Sequence, residues 1–124
     1  MSDKYVLNAD NTVSRMSDLV EWSRRFETDE RRIARTRMPD GRIVSTVFLG
    51  LNHRFDDSGP PLLFETMVFP SEKDFSEEWC ERTSTYSRAL ETHQQGIAEA
   101  ERLHREGVTV YVTPACDPAT TFYR

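Results

Sequence analysis

Apolar residues gather in two runs, IVSTVFLGL from Ile43 to Leu51 and LLFETMVF from Leu62 to Phe69, on either side of the polar loop NHRFDDSGPP. Both runs are rich in β-branched and aromatic residues, which predicts core strands. The loop between them carries a histidine, an arginine and two aspartates, so chemistry can be displayed there. Glu65 is the one charged side chain inside either run, and its partner needs explaining.

The flanking pattern completes an α+β chain. Tyr5 to Leu7 reads as a short edge strand that ends in the turn-prone Asn8-Ala9-Asp10-Asn11. Ser17 or Asp18 can cap the helix that follows, and Asp18 and Glu21 have capping-box spacing. Leu19, Trp22, Arg25 and Phe26 recur at helical intervals and predict one apolar stripe that ends near Thr28. Residues 31–38 and 42–51 read as a hairpin around Pro39-Asp40-Gly41, where proline presets φ and glycine accepts a positive one. Residues 62–69 form the next strand and Trp79 to Thr83 another. A long helix is predicted from Thr85 to Arg105, with Tyr86, Ala89, Leu90, His93, Ile97, Ala100 and Leu103 on one face. Gly96 inside it implies close approach of another backbone, and Gly107 is the expected terminator. Val108 to Pro114 reads as a last strand, followed by an irregular tail. The expected fold is therefore one domain over residues 1–124, an antiparallel sheet of about four strands packed with two principal helices.

Alternation across the strands adds a constraint. Ile43, Ser45, Val47, Leu49 and Leu51 share one face, and Val44, Thr46 and Phe48 the other; Leu63, Glu65, Met67 and Phe69 oppose Phe64, Thr66 and Val68 in the same way. Both faces are largely apolar and both need cover, from one helix per side or from a second subunit. A homodimer is the expectation. Simple register around the turn places Arg35 opposite Ser45 and Ile33 opposite Val47, and a one-residue bulge reverses that assignment. In simple register Arg31, Arg35 and Arg37 share a face that Glu65 can join, as a solvated charged face or as an anion-binding patch.

Charge changes the picture in one respect. The net charge is −5, which speaks against a nucleic-acid binder. Residues 1–62 hold ten basic and ten acidic side chains, and residues 63–124 hold six and eleven, so all the excess acidity lies in the second half. Seven arginines between Arg24 and Arg42 form a local basic zone. Arginine suits bidentate recognition of carboxylate or phosphate, although a GC-rich genome produces the same bias. The N-terminal stretch lacks an apolar signal-like core and no 18-residue apolar run exists, so the chain is expected in the cytoplasm, its own or a host's.

Catalytic chemistry finds few anchors. His53, between Asn52 and Arg54, can fix the loop, touch a ligand or act as a base, but it has no partner at metal-ligand spacing. His93 falls on the apolar stripe and reads as a core histidine satisfied by one backbone partner, and a partnership with His53 and Glu65 is geometrically open. His104 suits the helix C-terminus. Cys80 and Cys116 lack CxxC spacing and a recognisable base. No P-loop, G-x-G-x-x-G, HExxH, G-x-S-x-G or paired-carboxylate signature is present. An enzyme, a metal and a cofactor are therefore not expected.

The run LVEWSRRFETDERRIARTRMPDGRIVSTVFLGLNHRF, followed by GPPLLFETMVF, resembles a group of small phage- and prophage-encoded proteins. The resemblance rests on Trp22 to Thr28, Val44 to His53, Gly59 to Phe69, Trp79 to Thr85 and the Thr92-His93 pair, and it covers residues 5–105. The chain departs from the pattern at Asn52, at Arg54-Phe55 and in the charged stretch Glu72 to Glu78, all in loops. The resemblance implies a phage accessory protein acting in the host cytoplasm. Two modes of action suit it: inhibition of a host defence protein by contact through the acidic second half, or sequestration of a small anionic nucleotide. The second would use Arg31, Arg35 and Arg37 with Asn52, His53 and Arg54, and with Glu65 and His93 nearby.

Overall fold

The computed structural model describes residues 3–54, 58–107 and 119–123. Its elements are β1 (Tyr5–Leu7), β2 (Val13–Arg15), α1 (Leu19–Thr28), β3 (Arg32–Arg37), β4 (Ile43–Phe48), β5 (Phe64–Phe69), β6 (Trp79–Thr83), α2 (Tyr86–Glu106) and β7 (Ala119–Phe122). The chain is α+β. β1 and β2 form a two-stranded sheet, and the others form a five-stranded antiparallel sheet in the order β6-β5-β4-β3-β7. β3 to β6 are a meander in which consecutive strands pair, and α2 carries the chain back across the sheet to its far edge. The strand expected over Val108 to Pro114 lies outside the described residues, as do Cys116 and the loop residues Phe55, Asp56 and Asp57.

α2 forms where the stripe predicts, because its apolar and small residues recur on one face. Thr85 caps its start by accepting from the Arg88 N–H, and the Gly107 N–H closes the last turn on the Leu103 carbonyl. Ala89, Thr92, His93, Gly96 and Ala100 are buried against β4, β5 and β6. Small side chains let the helix axis approach the sheet closely. A Cβ on Gly96 would stand 2.8 Å from Val44 Cγ1 and 3.1 Å from Thr66 Cγ2, so the close approach is to sheet side chains rather than to a backbone.

Two apolar clusters lie under α2. One joins Leu7, Ile33, Phe48, Leu63, Phe64 and Ala89, with Tyr86 and Leu90 at its margin. The other joins Met38, Val44, Val68 and Ala100, with Trp79, Ile97 and Leu103 around it.

The hairpin register departs from the simple one at a single point. Arg35 lies opposite Ser45 as expected, but Arg32 rather than Ile33 lies opposite Val47, because a bulge falls between Arg32 and Ala34. The extra residue turns Ile33 into the core, where it is fully buried. It also exchanges two arginines. Arg32 joins Arg35 and Arg37 on the outer face, and Arg31 leaves it to stack its guanidinium 3.9 Å above the Phe26 ring.

α1 does not cover that outer face. Asp18 caps it through the Glu21 N–H, as its spacing predicts, but no residue of the helix is buried and Leu19 is 60 % exposed. The helix is held to β1 by polar contacts: Trp22 Nε1 donates to the Tyr5 carbonyl at 3.1 Å and Arg25 to the Leu7 carbonyl at 3.2 Å. Gly50, at φ +76°, passes against Phe26 where a Cβ would be only 3.2 Å from the ring, so glycine satisfies both the conformation and the space.

The helix–sheet approach gives a direct test. Gly96→Val drives a branched side chain into Val44 and Thr66, and overpacking should cost about 2 kcal/mol, more than the gain in helix propensity returns. The urea midpoint should fall accordingly; an unchanged midpoint would contradict the packing.

Candidate functional site

The inner face of the sheet carries a buried polar row. Thr66 on β5 and Thr46 on β4 are register partners whose hydroxyls meet at 2.7 Å. Thr46 Oγ1 also meets His93 Nδ1 at 2.7 Å, and His93 Nε2 meets Thr36 Oγ1 on β3 at 2.8 Å. Thr36 in turn bonds the hydroxyl of Thr120 on β7. A neutral imidazole donates from one nitrogen and accepts at the other, and a hydroxyl does both. Either tautomer therefore gives an unbroken chain from Thr66 to Thr120.

His93 is thus a core histidine, but it is satisfied by two threonine hydroxyls and not by one backbone partner. It is 1 % exposed, and burial pushes its pKa down to about 4. It has no route to His53 or Glu65, which lie elsewhere.

The loop residues act on the loop itself. Asn52 Oδ1 accepts from the N–H groups of Arg54 and Leu62, at 2.9 and 3.0 Å. His53 Nδ1 lies 2.9 Å from the Leu51 carbonyl, and Arg54 Nε donates to the Pro60 carbonyl at 2.7 Å. These bonds hold the two ends of the loop together.

The outer face presents a different surface. Ser45 and Val47 of β4, Glu65, Met67 and Phe69 of β5 and Cys80 of β6 are each half-buried there. Glu65 does not join the arginines of β3. It accepts from Arg82 Nε at 2.8 Å, its cross-strand neighbour on β6. Arg35 and Arg37 converge instead on Glu72, at 3.2 and 3.4 Å, so the β5–β6 connection folds back over one end of this face. Phe75 of that connection stands edge-on to Phe69 at 5.7 Å, yet it is 74 % exposed.

The excess acidity resolves onto the same connection. Along α2 three of the four carboxylates are taken up locally: Arg88 pairs with Glu91, and Arg102 with Glu99 and Glu106. Between residues 72 and 81 stand Glu72, Asp74, Glu77, Glu78 and Glu81 against Lys73 alone. Glu72 is used by the β3 arginines and Glu78 by Arg42, while Glu77 and Glu81 are exposed. Arg42 also pairs with Asp40, which His104 Nδ1 approaches at 3.1 Å, so the hairpin turn is tied to the end of α2. The helix pairs are readable from spacing, whereas the partners of Glu72, Glu78 and His104 lie across a strand pair or a loop and are not.

Catalytic geometry is sparse. Burial first, then a hydrogen bond and negative charge from Glu77 and charge from Glu65, push the Cys80 thiol up to about 12, far from a thiolate at neutral pH. A cleft of about 440 Å³ between α1, β3 and Val47 of β4 is lined by Glu27, Asp29 and Glu30 as well as Arg31 and Arg32, a balance that does not favour anions. Among the described residues no group of three or more His, Cys, Asp or Glu is placed to hold a metal ion, and no helix is long and apolar enough to cross a membrane. Comparison with protein families, curated proteins and solved structures finds no match to this chain.

The buried histidine fixes a pH dependence. Its folded pKa lies below the ordinary 6.5, so the unfolded chain binds the proton more readily. Stability from this group is complete above pH 6.5 and is lost as pH falls towards 4, by roughly 3 kcal/mol in all. An NMR titration of the His93 ring should show no protonation down to about pH 5; titration near 6.5 would contradict the buried chain.

Proposed function

We propose that this protein is a non-enzymatic binding protein that acts by contacting another protein through the acidic β5–β6 connection. The observation that carries the reading is Phe75. A large aromatic side chain that is 74 % exposed, between Asp74 and Glu77 on an ordered connection, is the form of an interface anchor. Phe69 backs the ring, and the Glu72 clamp to Arg35 and Arg37 fixes the base of the connection.

The surrounding charge selects the partner's chemistry. Asp74 and Glu77 suit a basic protein surface, to which they would also speed association. On the resemblance to phage-encoded proteins, that surface belongs to a host defence protein in the host cytoplasm and the chain is its inhibitor. Nucleotide sequestration has less support, since Arg31 stacks on Phe26, Arg35 and Arg37 hold Glu72, and His53 and Arg54 bond their own loop.

The test is capture from host lysate at low salt by wild type and by Phe75→Ala/Glu77→Lys. Wild type should retain a stoichiometric basic partner, and the variant should bind it at least about tenfold more weakly with an unchanged fold. Equal retention would overturn the assignment. So would calorimetric heat with a nucleotide that disappears in Arg35→Ala.

A further inference from the structure

We propose that a second copy of this chain seats on the outer face of the five-stranded sheet, about a twofold axis running along β4. The proposal concerns the face beside Val47, and stands or falls separately from the contact made by Phe75. α2 packs on the inner face, and α1 reaches the outer one only at its C-terminal end, across a cleft from Val47, so Ser45, Val47 and Met67 are left half-buried. That row of small and apolar side chains is edged by the ion pairs Glu65–Arg82 and Arg35–Glu72–Arg37. An apolar centre with a charged rim is the anatomy of a protein interface.

Register and charge identify the occupant. β4 is the middle strand of the five, so rotation about an axis along it lays β3 of one copy over β5 of the other. The bulge places Arg32, Val47, Glu65 and Arg82 at one level across the sheet. At that level Val47 meets its own counterpart on the axis. Arg32 of each copy stands over Glu65 of the other, so the same ion pair forms twice.

The two side chains suit this. Arg32 is 63 % exposed and holds Glu30 only at 3.3 Å, whereas Glu65 is 14 % exposed and fixed by Arg82. The Arg32 guanidinium, which lies 5.0 Å over the Tyr123 ring, would turn from Glu30 to a carboxylate already in place. The other in-plane axis, across the strands, would stack β3 on β3 and arginine on arginine. Charge therefore selects the first.

The contact is smaller than a standard interface of about 800 Å² per partner: five strands about 4.8 Å apart and about 20 Å long give roughly 500 Å² in projection, and the β5–β6 connection already covers the Ile43 end. The rotation also brings the two β5–β6 connections to one end of the assembly. A dimer would thus present two copies of Phe75 together.

Two measurements test the proposal. Sedimentation equilibrium between about 1 and 100 µM should show a species near twice the 14.4 kDa of one chain, and Val47→Glu should weaken it at least tenfold. Val20→Glu, at an exposed site on α1, should not. In a Cys80→Ser/Cys116→Ser background, a short bis-maleimide should join Val47→Cys of the two copies, since facing sheets stand about 10 Å apart and the position lies on the axis. A single-chain mass throughout the range overturns the proposal. A dimer that is indifferent to Val47→Glu and forms no Val47→Cys cross-link overturns it too, by placing the contact elsewhere.

Discussion

The hydrogen-bonded chain through His93 is the interaction on which the rest of this structure depends. It crosses four of the five strands of the main sheet, from Thr66 on β5 through Thr46 and Thr36 to Thr120 on β7, and α2 enters it at a single residue. An imidazole in an apolar interior is costly unless both nitrogens are satisfied. Only one placement of α2 over the sheet achieves that here. The two apolar clusters on either side supply most of the burial, but apolar contacts alone tolerate sliding. The polar chain fixes the register of helix on sheet and fastens β7 to the edge.

Docking α2 in this way commits the helix to one face, and the other face takes its character from that. α1 is held at the end of the sheet by β1 and flanks the outer face only across the cleft at Val47. The bulge at Ile33 completes the division. Burying Ile33 removes an apolar residue from the outer face, and Arg32 takes the level beside Val47. The outer face is consequently an apolar row with arginines along β3 and the Glu65–Arg82 pair along the opposite side. The β5–β6 connection, clamped by Glu72, raises Phe75 at its end. Both proposals draw on this single surface: one on its exposed aromatic end, the other on its flat centre.

Much of the fold was legible in the sequence because its signals are local. The α2 stripe, the Pro39-Asp40-Gly41 turn and the Asp18 cap each lie within a few residues of the structure they specify. The alternation over Ile43 to Phe69 also sorted the two faces correctly and raised the question of what covers the second. The helix α1 was placed correctly, but its stripe implied burial that Leu19 does not have, because polar anchors from Trp22 and Arg25 fix it instead. The bulge was open to sequence reasoning only as an alternative, since nothing local distinguishes Ile33 inward from Ile33 outward. The candidate residues fared worse for the same reason. Glu65 had a charged partner as expected, but Arg82 is seventeen residues away and reaches it only through the pairing of β5 with β6. The acceptors of Arg35 and Arg37 lie on a connection that looked merely charged. His93 was recognisable as a core residue, while its threonine partners on two strands were not.

The central proposal is that this chain covers the inner face of its sheet and leaves the outer face, beyond the Ile43 end held by the β5–β6 connection, for a partner copy. Methionine oxidation reads both faces in one molecule, because Met38 is 5 % exposed within the core and Met67 is half-buried on the outer face. At low protein concentration Met67 should oxidise well ahead of Met38. Raising the concentration should slow Met67 and leave Met38 unchanged. Equal protection of the two residues at every dilution would contradict the account, for it would mean that the chain buries both faces by itself.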